Sequence, residues 1–234
     1  MKKETIVSVH NKGANTYDSQ VKEYDSYGHD VLFGMCFEFV KANEKMLDFG
    51  IGTGLSSMHF SKIGLKIYGI DASQDMLDVC RSKSFTEQLL LQDMSDLPIP
   101  FDNSFFDHVI CCGVFHFIHD LDRIFCEIKR IIRKNGIFAF TIAPSHVLNC
   151  DEDYQDILES PTGWGVSIYK HSQKYLDNLL KRYGFGILKE QRLFFKDAAK
   201  KEHNMEFSVL ITRSYSGFKM TEKKMNSLNG NIHK

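Results

Sequence analysis

The chain has 234 residues, of which 43% are apolar and 25% charged, with a formal net charge of −1. That length suits one α/β domain with a sizeable core, and the near-neutral charge excludes whole-molecule attraction to nucleic acid or an anionic membrane. No apolar run reaches the length of a membrane span, and the apolar stretch after Lys2 and Lys3 is too short for a signal peptide, so a cytoplasmic protein without membrane contact is expected.

Residues 14–28 are polar and carry Tyr17, Tyr24 and Tyr27. With too few apolar positions for a firm core helix, residues 1–30 read as an N-terminal lid. The run VLFGMCFEFVK at 31–41 has apolar residues on several sides and predicts a buried helix. MLDFG at 46–50 predicts a strand ending in glycine, 54–64 a helix closed by Gly64, and 65–71 a second strand. Ser73 is placed to cap the next helix, with Asp75 in its first turn. A third strand is expected within 86–94 and a fourth at 106–113. Ile124, Ile128, Ile131 and Ile132 fall at helical spacing over 121–134, with Asn135-Gly136 as the stop and 137–143 as a fifth strand.

Strands alternating with helices predict a Rossmann-like, doubly wound α/β fold with a parallel sheet. Residues 144–170, with Pro144, Pro161 and Trp164 and little periodicity, predict a loop-rich insertion on the substrate side. A helix is expected at 171–184, closed by Gly184, then two strands at 185–195 and 205–213 as an antiparallel pair. The resulting organisation is a single domain over 1–213, with a cofactor-binding core at 45–143 and a disordered tail from 214. The six cysteines contain no CxxC pair, so neither a metal centre nor a dithiol redox site is expected; Cys80 and Cys126 read as small core fillers.

The chemistry concentrates in Asp48-Phe49-Gly50-Ile51-Gly52-Thr53-Gly54, after a strand and before a helix. Glycines at such a turn let a ligand approach backbone that a Cβ would block. A dinucleotide fingerprint would need a third glycine where Leu55 stands, which disfavours NAD. A carboxylate two residues before the first glycine suits an ammonium better than a pyrophosphate. S-adenosylmethionine (SAM) has such an amino-acid end and carries no phosphate. Asp71 ends the second strand, where a carboxylate can accept from both ribose hydroxyls, and Asp93 follows the third, where it can accept from an adenine amino group while Met94 covers the ring.

The stretch LDFGIGTG…GIDAS…MLDVC…QDMSDLPIPFDNSFFDHVICCGVFHF resembles the class I SAM-dependent methyltransferases, and among them the small-molecule type that includes ubiquinone- and menaquinone-biosynthesis enzymes. The resemblance covers roughly residues 45–143. It implies a mainly parallel seven-stranded sheet whose last strand is antiparallel. It also implies a methionine-holding loop at Asp48, Gly50, Gly52 and Gly54, a ribose acid at Asp71, and an adenine contact at Asp93 and Met94. Ala72, Met76, Cys112 and Gly113 would line the cofactor, with Tyr24 meeting it from the lid. The fourth strand ends CCGVF and lacks the Asn/Asp-Pro-Pro-Tyr/Phe motif of nucleic-acid amino methyltransferases, so no nucleic-acid substrate is expected.

The reaction so implied is methyl transfer from SAM to a small molecule. The alternatives are a protein- or RNA-modifying methyltransferase and a SAM-binding partner subunit without turnover, since binding residues do not prove chemistry. His116 and His171 are candidate bases, each also readable as a packed or capping residue. Tyr24, Tyr27, Trp164 and Tyr169 are candidates for the substrate side. The methyl acceptor and the oligomeric state are not legible in the residues.

Overall fold

The computed structural model describes residues 3–145, 157–161, 167–196 and 204–215. In chain order these form α1 (Lys3–Gly13), α2 (Tyr17–Glu23), α3 (Gly28–Cys36), β1 (Lys45–Phe49), α4 (Leu55–Lys62), β2 (Lys66–Asp71), α5 (Gln74–Ser82), β3 (Thr86–Leu91) and β4 (Phe106–Cys111). They continue with α6 (Asp122–Ile131), β5 (Ile132–Ile142), β6 (Pro144–Ser145), β7 (Ile157–Pro161), β8 (Ser167–Ser172), α7 (Gln173–Tyr183), β9 (Phe185–Lys196) and β10 (Asn204–Ser214). Among the described residues no helix is long and apolar enough to cross a membrane.

Seven strands make one sheet in the order β3-β2-β1-β4-β5-β10-β9. The pairs β1–β2, β2–β3, β1–β4 and β4–β5 are parallel, and β10 is antiparallel to both β5 and β9. The antiparallel strand is therefore last in sequence, as expected, but lies one position in from the sheet edge. Strand order reverses between β1 and β4, and ligands of open α/β sheets bind at the carboxyl ends of strands at such a point.

The central strands are apolar on both faces because helices cover both faces. Leu47 and Phe49 of β1, Val109 and Cys111 of β4, and Phe138 and Phe140 of β5 pack with the apolar residues of α6 and α7. The alternate residues Met46, Ile110, Ile137 and Ala139 pack with Leu32 and Cys36 of α3, Phe60 of α4, and Leu77 and Cys80 of α5. Cys80 and Cys126 are buried core residues, as read.

Three expectations need correction. First, α6 ends at Ile131 rather than at Lys134: Ile132 already pairs with Phe106 of β4, and the ladder shifts register before His108 meets Ile137. The Asn135-Gly136 turn sits inside this irregular strand, with Asn135 at φ +67°. Gly136 packs so closely on β4 that a Cβ there would lie 2.3 Å from the Asp107 carbonyl oxygen. Second, described parts of 144–170 form a small sheet in the order β6-β8-β7, not a loop. Its strands are only two to six residues long, so they carry little alternation. Third, α1 turns most of the segment ahead of residue 14 into helix, which the polar sequence did not announce. Trp164 and Cys150 lie outside the described residues, as does the part of the expected tail beyond 215; the first residue of that tail, Ser214, is the last of β10 and not disordered.

Candidate functional site

A cavity of about 930 Å³ opens at the carboxyl ends of β1, β2, β4 and β5, with α1 and α2 forming its roof. Its floor starts at the loop after β1. Gly50, Gly52 and Gly54 all have positive φ, at +89°, +53° and +86°. Gly50 and Gly52 line the cavity, and a Cβ built on Gly52 would meet no atom within 4 Å. Gly54 does not reach the cavity. It caps α4, where a Cβ would lie 2.5 Å from Phe85 and 2.9 Å from the Cys80 sulfur.

Asp48 also stands behind the wall. It is 1% exposed, and its Oδ2 accepts the Ser57 hydroxyl. Its Oδ1 has no partner among the described residues. Burial pushes this carboxyl up to about 7, with Asp71 adding to the rise and the Ser57 bond opposing it.

The β2 end supplies Asp71, Ala72 and Ser73 to the wall, and α5 supplies Met76. Asp71 Oδ2 accepts the Gly52 N–H at 2.8 Å and Oδ1 accepts the Ser73 N–H at 2.9 Å. One carboxylate thus fixes the glycine loop to the start of α5. Ser73 caps that helix as read, its hydroxyl accepting the Met76 N–H at 3.2 Å. Asp93 and Met94 line the cavity after β3, and Asp93 Oδ1 accepts the Ser95 N–H at 2.8 Å. Cys112 and Gly113 line it after β4, where the Gly113 N–H donates to Thr141 Oγ1 at 2.7 Å. Burial pushes the Cys112 thiol up to about 11, so it is not a thiolate near neutrality. Thr141 was not anticipated; its signal was a lone hydroxyl near the carboxyl end of the apolar strand β5.

The two candidate histidines separate. His116 lines the cavity, is 8% exposed, and has no partner for Nδ1 among the described residues. Burial lowers its pKa to about 3, with His10 and His171 adding to the fall. A base with so acidic a conjugate acid takes up a proton poorly near neutrality. His171 is not part of the cavity wall. Its Nε2 sits 3.2 Å from the His119 carbonyl oxygen and its ring stacks on Tyr175 at 5.4 Å, which is a packing role.

His116 yields a test by linkage. Its folded pKa is depressed, so the unfolded chain binds the extra proton first as pH falls. Stability is full above the unfolded value and is lost on acidification towards about 3. His116→Phe should therefore show a smaller drop in Tm between pH 7 and pH 5 than the parent chain, followed by calorimetry. An equal drop in both would mean that His116 is not a buried neutral group.

The roof places Tyr17 and Tyr24 on the cavity, and β8 places Tyr169 there. Tyr27 does not join them: it is 43% exposed and packs edge-on against Phe195 at 5.6 Å. Asp18 of α2 accepts the Thr53 hydroxyl at 2.6 Å and Lys83 Nζ at 2.6 Å, while Lys83 also donates to the Thr53 carbonyl at 2.8 Å. The Ser73 hydroxyl donates to Asn11 of α1. The roof is thus bonded to both the glycine loop and α5.

Residues 47–140 match the methyltransferase-domain family. Over this stretch the chain is similar to methyltransferase domains. The domain is similar to the malonyl-[acyl-carrier protein] O-methyltransferase of Serratia marcescens, 26% identical over 156 residues covering 66% of this chain and 59% of the relative. The chain spans between 27% and 59% of the length of the first curated relatives it matches. Among solved structures, the 1,6-didemethyltoxoflavin-N1-methyltransferase of Burkholderia thailandensis, which holds S-adenosylhomocysteine, superposes with a TM-score of 0.65 at 15% identity, covering 91% of this chain and 90% of that one. The cyclase SpnF superposes with a TM-score of 0.61 at 17% identity, covering 81% and 80%. At these identities the structures establish the class I methyltransferase fold alone.

Proposed function

We propose that the protein transfers a methyl group from SAM to a small-molecule acceptor. The observation that carries this is the wall itself: Gly52 with open space before it, and the Asp71 and Asp93 carboxylates at consecutive strand ends, all face one cavity. In this reading Gly50 and Gly52 give the methionine part close access to the loop, and Gly54 sets the loop's exit into α4. Asp48 stands behind the loop, so it would act on the ammonium through its charge at a distance and not by contact. Asp71 takes the ribose hydroxyls and Asp93 the adenine amine, with Met94 and Met76 against the rings. Ala72, Cys112, Gly113 and Tyr24 complete the cofactor wall.

Bound SAM supplies an activated methyl group on a sulfonium and a thioether leaving group. The acceptor's nucleophilic atom bonds to the methyl carbon as the carbon–sulfur bond breaks, and the acceptor's proton, where it has one, leaves to solvent or a wall group. The chain's own work is alignment and exclusion of water. Phe117, Phe195, Met205 and Phe207 make part of the remaining wall apolar, which favours an acceptor with a substantial hydrocarbon or ring portion. The cyclase neighbour is the reason to keep a second reading, SAM binding without methyl transfer, since one fold carries more than one chemistry.

Residues 1–30 serve as the lid in this proposal. The supporting observation is that, among the described residues, neither apolar cluster includes a residue of α1 or α2, while Asp18 and Asn11 tie the roof down by polar contacts. The expected result is binding of SAM and S-adenosylhomocysteine without binding of NAD, and release of S-adenosylhomocysteine when a pool of small-molecule acceptors is added. Amides over 17–30 should gain hydrogen-exchange protection when S-adenosylhomocysteine binds. NAD binding in place of SAM overturns the cofactor assignment. Binding with no turnover on any pool favours the second reading. Equal protection with and without ligand removes the lid.

A further inference from the structure

Two histidines and a carboxylate converge where α3 crosses α4, at the rim of the cavity. His29 and Asp30 lie in the first turn of α3, and His59 lies in the second half of α4. His59 Nε2 is 3.0 Å from Asp30 Oδ1, and His29 Nε2 is 3.7 Å from Asp30 Oδ2. One ligand atom from each of the three residues lies within 4.8 Å of the others. The imidazoles stack at 6.1 Å with an interplanar angle of 21°.

Simple hydrogen bonding accounts for only half of this arrangement. His59 bonds Asp30 at an ordinary length, but 3.7 Å is too long for a bond from His29. A second ring nitrogen is thus turned towards a carboxylate it does not bond. Zinc–nitrogen and zinc–oxygen bonds of about 2.0–2.2 Å in a tetrahedron set ligand atoms roughly 3.4 Å apart. The two separations, 3.0 Å to Asp30 Oδ1 and 3.7 Å to Asp30 Oδ2, lie on either side of that value, so a small turn of the carboxylate brings one oxygen to an ion held by both imidazoles.

The surroundings hold the rings in place. His59 stacks on Phe33 at 5.2 Å, and Phe33 meets Phe60 edge-on at 5.1 Å. The Ser26 backbone lies within hydrogen-bonding reach of His29, the kind of outer contact that orients a ligating imidazole. The side chains of His29 and His59 are 18% and 32% exposed and that of Asp30 is 56% exposed, so an ion has a path in and room for a fourth ligand.

We propose that His29, Asp30 and His59 form a site for a divalent transition-metal ion, with zinc the best match to two imidazoles and one carboxylate. The ion ties α3 to α4. His29 also lines the cavity, so the ion stiffens the rim where α2 leads into α3. The cysteine spacing could not have revealed such a site: its histidines are thirty residues apart on two helices, and its ligands include no cysteine.

The test uses the full chain stripped with a chelator. Zinc titration by calorimetry should give one ion per chain, and cobalt should give the visible absorption bands of a tetrahedral site. His59→Phe keeps a ring stacked on Phe33 while removing the ligand, and His29→Gln removes the other; each should weaken zinc binding by about tenfold or more and abolish the cobalt bands. His119→Ala, away from the seam, should leave both readouts unchanged. Absence of zinc binding by the parent chain overturns the proposal, as does binding that persists unchanged in both folded variants, with folding checked by circular dichroism.

Discussion

Gly52→Val is expected to abolish binding of SAM and S-adenosylhomocysteine while the chain stays folded. Gly52 has φ +53°, in a region that costs an L-residue about 1–2 kcal/mol, and more for a branched side chain. A Cβ at Gly52 meets nothing within 4 Å, so the added side chain projects into the cavity and displaces no part of the core. Strain of this size lowers stability modestly. Occupation of ligand space acts on binding alone, and a loss beyond about 100-fold, or about 2.8 kcal/mol, is expected. Gly54 provides the contrast. It has the same sign of φ, but a side chain there strikes Phe85 and Cys80, so Gly54→Val should lower Tm far more. Calorimetric titration with S-adenosylhomocysteine, beside circular dichroism and thermal melts, reads both effects. If Gly52→Val binds normally, or is unfolded, then the glycine serves the backbone and not the ligand.

Asp71→Ala should weaken S-adenosylhomocysteine binding by the loss of the ribose hydrogen bonds, on the order of 1–3 kcal/mol or roughly 5- to 150-fold. The structure adds a second effect. The same carboxylate accepts the Gly52 and Ser73 N–H groups, so removing it also loosens the glycine loop and the start of α5. Asp71→Asn separates the two effects in part, because the amide oxygen can still accept one backbone N–H. The expected order of affinity is parent, Asn variant, Ala variant, with the ligand-free Tm falling in the same order. Unchanged affinity in Asp71→Ala would sink the ribose assignment. A fall in Tm without a fall in affinity would reduce Asp71 to a structural brace.

Much of the fold is legible in short stretches of sequence because its causes are local. Near-continuous burial along β1, β4 and the second half of β5 follows from helices on both faces, and it appears in the sequence as apolar runs bounded by turns. Ser73 announces its helix because a cap acts within three residues. Gly184 announces the end of α7 because it takes the left-handed conformation there. The small sheet of β6, β7 and β8 was not legible, since two- to six-residue strands carry too little period to separate from loop. The end of α6 was misread because Ile132 continues the helical spacing of apolar residues yet is claimed by pairing to Phe106 on another strand.

By itself, the sequence determined the fold class, the glycine loop and the strand-end acids, because each depends on residues close together in the chain and on the period of burial. Only the tertiary structure decided which of those residues face the cavity. It set Asp48 and Gly54 behind the wall, brought Gly52, Asp71, Asp93 and His116 onto it, and turned Tyr27 away from it. It also joined Asp18 to Thr53 and Lys83, and His59 to Asp30. The physical reason is that a side chain's direction and partners follow from how helices pack across a sheet. Residues far apart in sequence acquire their charge environment, burial and hydrogen bonds only when that packing is complete.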